Sequence, residues 1–167
     1  MELQISYCIC TEVSEESIFW REEDVDTSLI GLIGKANVIS EGTDLSIITV
    51  SSCLQMVKDI IPQINDMGIS AEIIDIRSVV PFDIETILKS VRKTGKVLIC
   101  DTANKTGSTA ANIAALISQK AFEYLKSPIN IVANEDIPIP FANNLEKEII
   151  LTKEKILNEI RRIYVES

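Results

Sequence analysis

The chain has 167 residues, a net charge of −9 and no histidine, and 46% of it is hydrophobic, which fits one domain with one real core. The acidic balance argues against nucleic acid and anionic membrane as partners. Without histidine the chain has no Ser-His or Cys-His nucleophile, no imidazole base and few routes to a zinc site.

The charge is uneven. Residues 1–35 hold eight acids and two bases, a balance of −6, while the remaining 132 hold 17 acids and 14 bases, a balance of −3. An acidic leader is therefore expected over residues 1–28 and a nearly balanced body over 29–167. The leader reads as a remnant of a preceding domain, a docking arm or a disordered segment. Alternation of Leu3, Ile5, Tyr7 and Ile9 allows a short strand in it. Its acidic start is not a signal-peptide pattern, and no apolar run has the length of a membrane span. The expected location is cytoplasmic. Cys8 and Cys10 are too close for a zinc knuckle, and Cys53 and Cys100 fall in or beside core elements. All four read as reduced thiols.

The body opens on an apolar segment, Leu29 to Ile33, and a short strand from Lys35 to Ser40. After a turn at Gly42-Thr43-Asp44, Leu45 to Val50 reads as a buried strand, with Ser51 and Ser52 at its end. Leu54, Val57, Ile61 and Ile64 share one face of a helix over 53–67. Pro62 inside it is expected to kink the helix or delay its start, and Gly68 ends it. Ala71 to Ile76 is an isoleucine-rich strand, broken by Asp75 and Arg77. Pro81 fixes the backbone and Asp83 sits at a helix N-cap. Ile84, Ile87, Leu88 and Val91 recur at helical spacing. Lys89, Arg92 and Lys93 suit the negative end of the helix dipole, and Gly95 suits its left-handed cap. Lys96 to Cys100 is the next strand. Asp101 to Gly107 reads as a polar loop, and Ser108 to Leu125 as a long, alanine-rich helix. Asn130 to Ala133 is a last short strand. A final helix from about Thr152 turns Ile156, Ile160 and Ile163 inward. Strands alternating with helices predict an α/β fold with a largely parallel sheet covered on both faces.

In such a sheet the loops at the strand carboxyl ends form the usual crevice. Here they carry Ser51, Ser52, Arg77, Asp101, Thr102, Asn134, Glu135 and Asp136. Arg77 could capture an anion with its planar fork, or form an internal ion pair with Asp75, Asp83 or Asp101. Thr106-Gly107-Ser108 precedes a helix and could offer amides to an anion, or simply supply a cap from Thr106 or Ser108. Asp136-Ile137-Pro138-Ile139-Pro140 reads as an extended segment stiffened by Pro138 and Pro140. No residue is singled out as catalytic and no metal pattern is present.

Several stretches resemble one family. Residues 68–77 (GISAEIIDIR), Pro81-Phe82-Asp83 and residues 90–95 (SVRKTG) resemble the C-terminal domain of the transketolase superfamily. Within it they are most similar to beta subunits of thiamine-diphosphate-dependent 2-oxoacid dehydrogenases acting on pyruvate or branched-chain 2-oxoacids. Gly34-Lys35-Ala36, Glu41-Gly42-Thr43-Asp44, Ala121-Phe122, the 136–140 segment and Leu145-Glu146 extend the resemblance over roughly residues 29 to 164. It implies a three-layer α/β/α sandwich with a five-stranded mixed sheet whose first strand is antiparallel. Many relatives have a glutamate and often a histidine near positions 101–103, a glycine near 108 and a glutamate near 112. Asp101, Thr102, Ser108 and Asn112 stand there instead, so those roles do not carry over.

The resemblance implies an assembly or docking domain that contributes subunit contacts, with self-association about a two-fold axis. The aliphatic surplus, a mean hydropathy of +0.21, agrees with a buried interface. Thiamine diphosphate and magnesium would bind on other domains or subunits, since neither the glycine–aspartate–asparagine motif nor a glutamate-bearing domain is seen in this chain. The acyltransferase core of a multienzyme complex is a further implied partner. Two rival readings are a ligand-binding or regulatory module using the crevice near Arg77, and an interaction protein whose acidic leader binds a basic partner.

Overall fold

The structure is a computed structural model that describes residues 34–138 and 149–165. The expected leader (1–28), the entry segment (29–33), Pro140 and Leu145-Glu146 lie outside the described residues. Within them the elements run β1 (Asn37–Ser40), β2 (Leu45–Thr49), α1 (Cys53–Asp66), β3 (Ala71–Asp75), α2 (Ile84–Thr94), β4 (Val97–Asn104), α3 (Thr109–Ala121), β5 (Asn130–Asn134) and α4 (Lys153–Val165). One 3-10 turn, Phe122–Tyr124, follows α3.

The strands form a five-stranded sheet in the order β1-β3-β2-β4-β5. β1 is antiparallel to β3 and the other pairs are parallel. Alternating side chains send each strand to two cores. Leu45, Ile47, Ala71, Ile73, Leu98 and Cys100 pack with α1 and α4 through Val57, Ile60, Ile64, Ile156 and Ile160. Ile48, Ile74, Ile76, Val97 and Ile99 pack with α2 and α3 through Ile87, Val91, Ile113 and Ile117. The result is the expected three-layer α/β/α sandwich. Burying each of these aliphatic side chains contributes roughly 1.5–3 kcal/mol. Cys53 and Cys100 are both buried.

Local signals act where the sequence places them. Asp83 caps α2, accepting from Thr86 N, and Gly95 closes the helix with φ 76°. Ile156, Ile160 and Ile163 of α4 are buried. Three expectations are corrected. α1 runs without interruption from Cys53 to Asp66 with Pro62 inside it, so the proline does not delay its start. Of the loop expected over Asp101 to Gly107, only the part after Asn104 is one. β4 continues to Asn104, where after a register shift it pairs with β5 again at Asn104↔Asn134. The helix expected to reach Leu125 ends at Ala121, and the chain tightens into the 3-10 turn.

A candidate functional site at the carboxyl edge of the sheet

The strand order reverses between β2 and β4: β3 lies on one side of β2 and β4 on the other. This is the topological switch point at which open α/β sheets leave a crevice. The last pairs of the register there are Thr49↔Asp75 and Thr49↔Cys100. Two residues further on, Ser51 and Arg77 leave adjacent strands. They are also the two non-glycine residues with positive φ among those described, 56° and 54°. Left-handed backbone at such residues costs roughly 1–3 kcal/mol and persists where the surroundings impose it. Here the surroundings are specific. Thr49 Oγ1 donates to Ile74 O at 3.0 Å, and Val50 N donates to Cys100 O at 3.0 Å. Asp75 Oδ1 accepts from Arg77 N at 3.2 Å.

The internal ion pair considered for Arg77 does not form among the described residues. Asp75 receives the Arg77 backbone amide. Asp83 receives Ala36 N, Thr86 N and Thr86 Oγ1, with Lys35 Nζ at 3.9 Å. Burial opposes the charge on Asp83, but the Thr86 hydroxyl, the two amides and Lys35 outweigh it and hold the carboxyl below its ordinary value. Asp101 receives Ala103 N at 3.0 Å and Ala110 N at 3.1 Å. The Arg77 side chain is exposed, and its guanidinium keeps its donors for an anion.

Arg77 and Asp101 do not share one pocket wall, because β2 separates β3 from β4. At about 4.8 Å per strand, their backbones stand about 10 Å apart. Arg77 belongs with Ser51. Asp101 is buried and points to the start of α3. Ser108 is the N-cap of α3, accepting from Ala111 N at 3.1 Å and donating to Lys105 O at 3.1 Å. Two of the amides that an incoming anion would seek at this helix start are thus already bonded to Asp101 and Ser108. Thr106 does not cap the helix. Its amide and hydroxyl donate to Asp136 at 2.8 and 2.6 Å, which holds the Asp136 carboxyl below its ordinary value. Gly107 has φ 73°, a left-handed turn that glycine takes at no steric cost.

The Pro81 loop is the second part of this edge. Val80-Pro81 is a cis peptide. Ser78 Oγ donates to Pro81 O at 2.8 Å and accepts from Gly34 N at 3.0 Å, tying the loop to the start of the domain. Against α3 the loop forms an apolar groove of about 210 Å³ lined by Val79, Val80, Phe82, Ile113 and Leu116. Val80 is 63% exposed on its rim. Pro138 is exposed.

Two features were missed from sequence. Asn134, named there only as a loop residue, ends β5 buried. Its Nδ2 donates to Thr102 O at 2.5 Å and its Oδ1 accepts from Leu151 N at 2.7 Å, joining β4 and β5 to the approach to α4. Glu72 sits inside the buried β3 run and receives Lys93 Nζ at 2.5 Å. An acid within AEIID was the available signal. Chemically, the edge offers donors to an anion and an apolar groove to a partner. Burial, then neighbouring Cys53 and Asp101, push the Cys100 thiol well above its ordinary value, so it stays protonated and inert. Among the described residues, no group of three or more acids or cysteines could hold a metal ion. No helix there is long and apolar enough to cross a membrane.

Comparison with known proteins agrees with this architecture. The model of the family "Transketolase, C-terminal domain" matches residues 34–156. The pyruvate dehydrogenase E1 component subunit beta of Rickettsia bellii is 35% identical over 130 residues, covering 78% of this chain and 40% of that protein. The 2-oxoisovalerate dehydrogenase subunit beta of Bacillus subtilis is 36% identical over 132 residues, with the same coverage of 78% and 40%. The chain thus spans about 40% of the length of these curated relatives. Among solved structures, a split gene transketolase described as an inactive beta4 tetramer superposes with a TM-score of 0.67 at 22% identity. It covers 78% of this chain and 41% of that one, and supports the fold.

Proposed function

Given that the chain belongs to the transketolase C-terminal domain family, we propose that it serves as an assembly domain of a thiamine-diphosphate-dependent 2-oxoacid dehydrogenase, supplying subunit contacts rather than a complete active site. The observation that carries this is the apolar groove between the Pro81 loop and α3, with Val80 63% exposed at its rim. An apolar groove on an otherwise charged surface is characteristic of a face that another polypeptide covers. We assign it to a second copy of the domain about a two-fold axis. Neighbouring thiamine-diphosphate-binding domains then dock against the same assembly, and the acyltransferase core of a multienzyme complex is a further partner.

The described residues do not suit the cofactor itself. No acidic cluster is present to hold magnesium, and the start of α3, where a diphosphate would find amides, is bonded to Asp101 and Ser108. Thiamine diphosphate is assigned to other domains or subunits in this reading, and the described residues supply contacts. The test is the native mass of the purified 18.5 kDa chain by light scattering. A dimer or larger species that reverts to monomer in Val80→Asp supports the reading. A monomer at high concentration overturns the two-fold contact.

One observation favours the second reading, a ligand module. The Arg77 guanidinium has no ion pair among the described residues, and its backbone is held left-handed beside Ser51. Inorganic phosphate would then raise the melting temperature of the chain but not of Arg77→Ala. Equal responses would remove this reading.

A further inference from the structure

Phe122 is 74% exposed, more than any other large hydrophobic side chain among the described residues. It opens the 3-10 turn in which α3 ends. Beside it lies a cleft of about 740 Å³, whose apolar lining is Ala114, Phe122, Leu125, Pro128 and Ile129. Tyr124, two residues further on, is 41% exposed, and the Arg92 guanidinium sits 5.7 Å from its ring centroid. Exposed aromatic rings beside an arginine are the composition of a face that another segment covers.

The charge of this face is basic. Lys126 lines the cleft, and Lys120 lies in the last turn of α3. Neither lysine, nor Arg92, forms an ion pair among the described residues. Glu123 is the one acid in the lining. Such a face suits an aromatic segment flanked by carboxylates, and the chain itself holds one. Residues 15–26 read EESIFWREEDVD, with six acids and one base around Ile18, Phe19 and Trp20. The reach is sufficient. Gly34, the first described residue, donates its amide to Ser78 Oγ in the Pro81 loop, at the carboxyl edge of the sheet. α3 runs from that edge toward Phe122, and its 13 residues span about 20 Å. The 14 residues from Trp20 to Gly34 extend to about 46 Å.

We propose that Ile18-Phe19-Trp20 of the chain's own leader docks in this cleft. Its rings cover Phe122 and Leu125, and its flanking acids face Arg92, Lys120 and Lys126. The basic partner of the acidic leader is then the body of the same chain. The contact is separate from the Pro81 groove, which lies against the first half of α3, so it stands or falls apart from the two-fold association assigned to that groove.

Trp20 is the single tryptophan of the chain, so its fluorescence reports the contact directly. In the full chain its emission is expected to be blue-shifted from that of free tryptophan. Acrylamide quenching is expected to be several-fold weaker, and independent of protein concentration. Phe122→Asp, at a position exposed enough to spare the fold, is expected to restore solvent-like emission and quenching. Lys126→Glu, also exposed, is expected to act in the same direction and keeps the proposal testable should Phe122→Asp fold poorly. The proposal is overturned if Trp20 of the parent chain quenches as freely as tryptophan in solution or if its protection is lost on dilution. It is equally overturned if both variants leave Trp20 protected, or if Val80→Asp alone exposes it.

Discussion

Asp101 Oδ2 lies 3.1 Å from the amide nitrogen of Ala110, so a side chain of β4 accepts from the first turn of α3. Its other oxygen accepts from Ala103 N. One buried carboxylate thus fixes both the polar end of the strand and the start of the helix. Asp101→Ala is expected to strand the buried Ala110 amide, release the part-buried Ala103 amide and destabilise the fold by about 1–3 kcal/mol. Urea unfolding measures this; a loss below about 0.5 kcal/mol would show that the two amides find other partners.

Gly42 passes over β3 so tightly that a Cβ would stand 2.3 Å from the Ala71 carbonyl carbon and 2.5 Å from Ser70 O. Both are backbone atoms that cannot rotate away. Gly42→Ala is expected to cost about 3 kcal/mol or more by displacing the β1–β2 turn. The urea midpoint reads it directly, and an unchanged midpoint would contradict the close approach.

Acid sensitivity should centre on Asp83. Its folded-state carboxyl is held below the ordinary value. Its contribution is therefore complete above the unfolded value of about 3.9 and is lost as pH falls through the lower folded value. In Asp83→Asn the neutral-pH stability should drop and the acid limb should flatten. Urea midpoints from about pH 7 to 2 test this; parallel curves for the two proteins would count against it.

Val80 is exposed and makes no structural hydrogen bond through its side chain. Val80→Asp should leave monomer stability within about 0.5 kcal/mol of the parent while abolishing association. Paired unfolding and light-scattering measurements separate the two effects. Equal loss of stability would mean the residue supports the fold rather than an interface.

Short-range chemistry made much of this fold legible. Asp83 and Gly95 mark the ends of α2 through preferences that operate within one helical turn. The isoleucine runs of β2 and β3 are buried on both faces and read as such. Signals that depend on distant pairing were not legible. Ala103 and Asn104 have little strand preference of their own. They become strand because β5 lies alongside, Asn104 pairing with Asn134 and Asn134 Nδ2 donating to Thr102 O. Pro62 reads as a helix breaker, yet α1 holds it because Val57, Ile60 and Ile64 are anchored in the core around it.

The site was legible in parts only. Arg77 was found because a lone arginine after an apolar strand stands out. Its separation from Asp101 follows from the strand order, which no local pattern reveals. Ser51 carries no composition signal for a left-handed backbone. Glu72 shows that an acid inside a core strand must meet a partner from another element, here Lys93 of α2.

The central claim is that this domain works inside a larger dehydrogenase assembly. The most direct test is affinity capture of the tagged chain from its native cells, in parallel with Val80→Asp, with identification of co-purifying proteins. The account predicts that a chain carrying thiamine-diphosphate-binding domains accompanies the parent protein and is lost or depleted with the variant. Capture of no such chain would contradict it, while equal capture by both proteins would place that contact outside the Val80 groove.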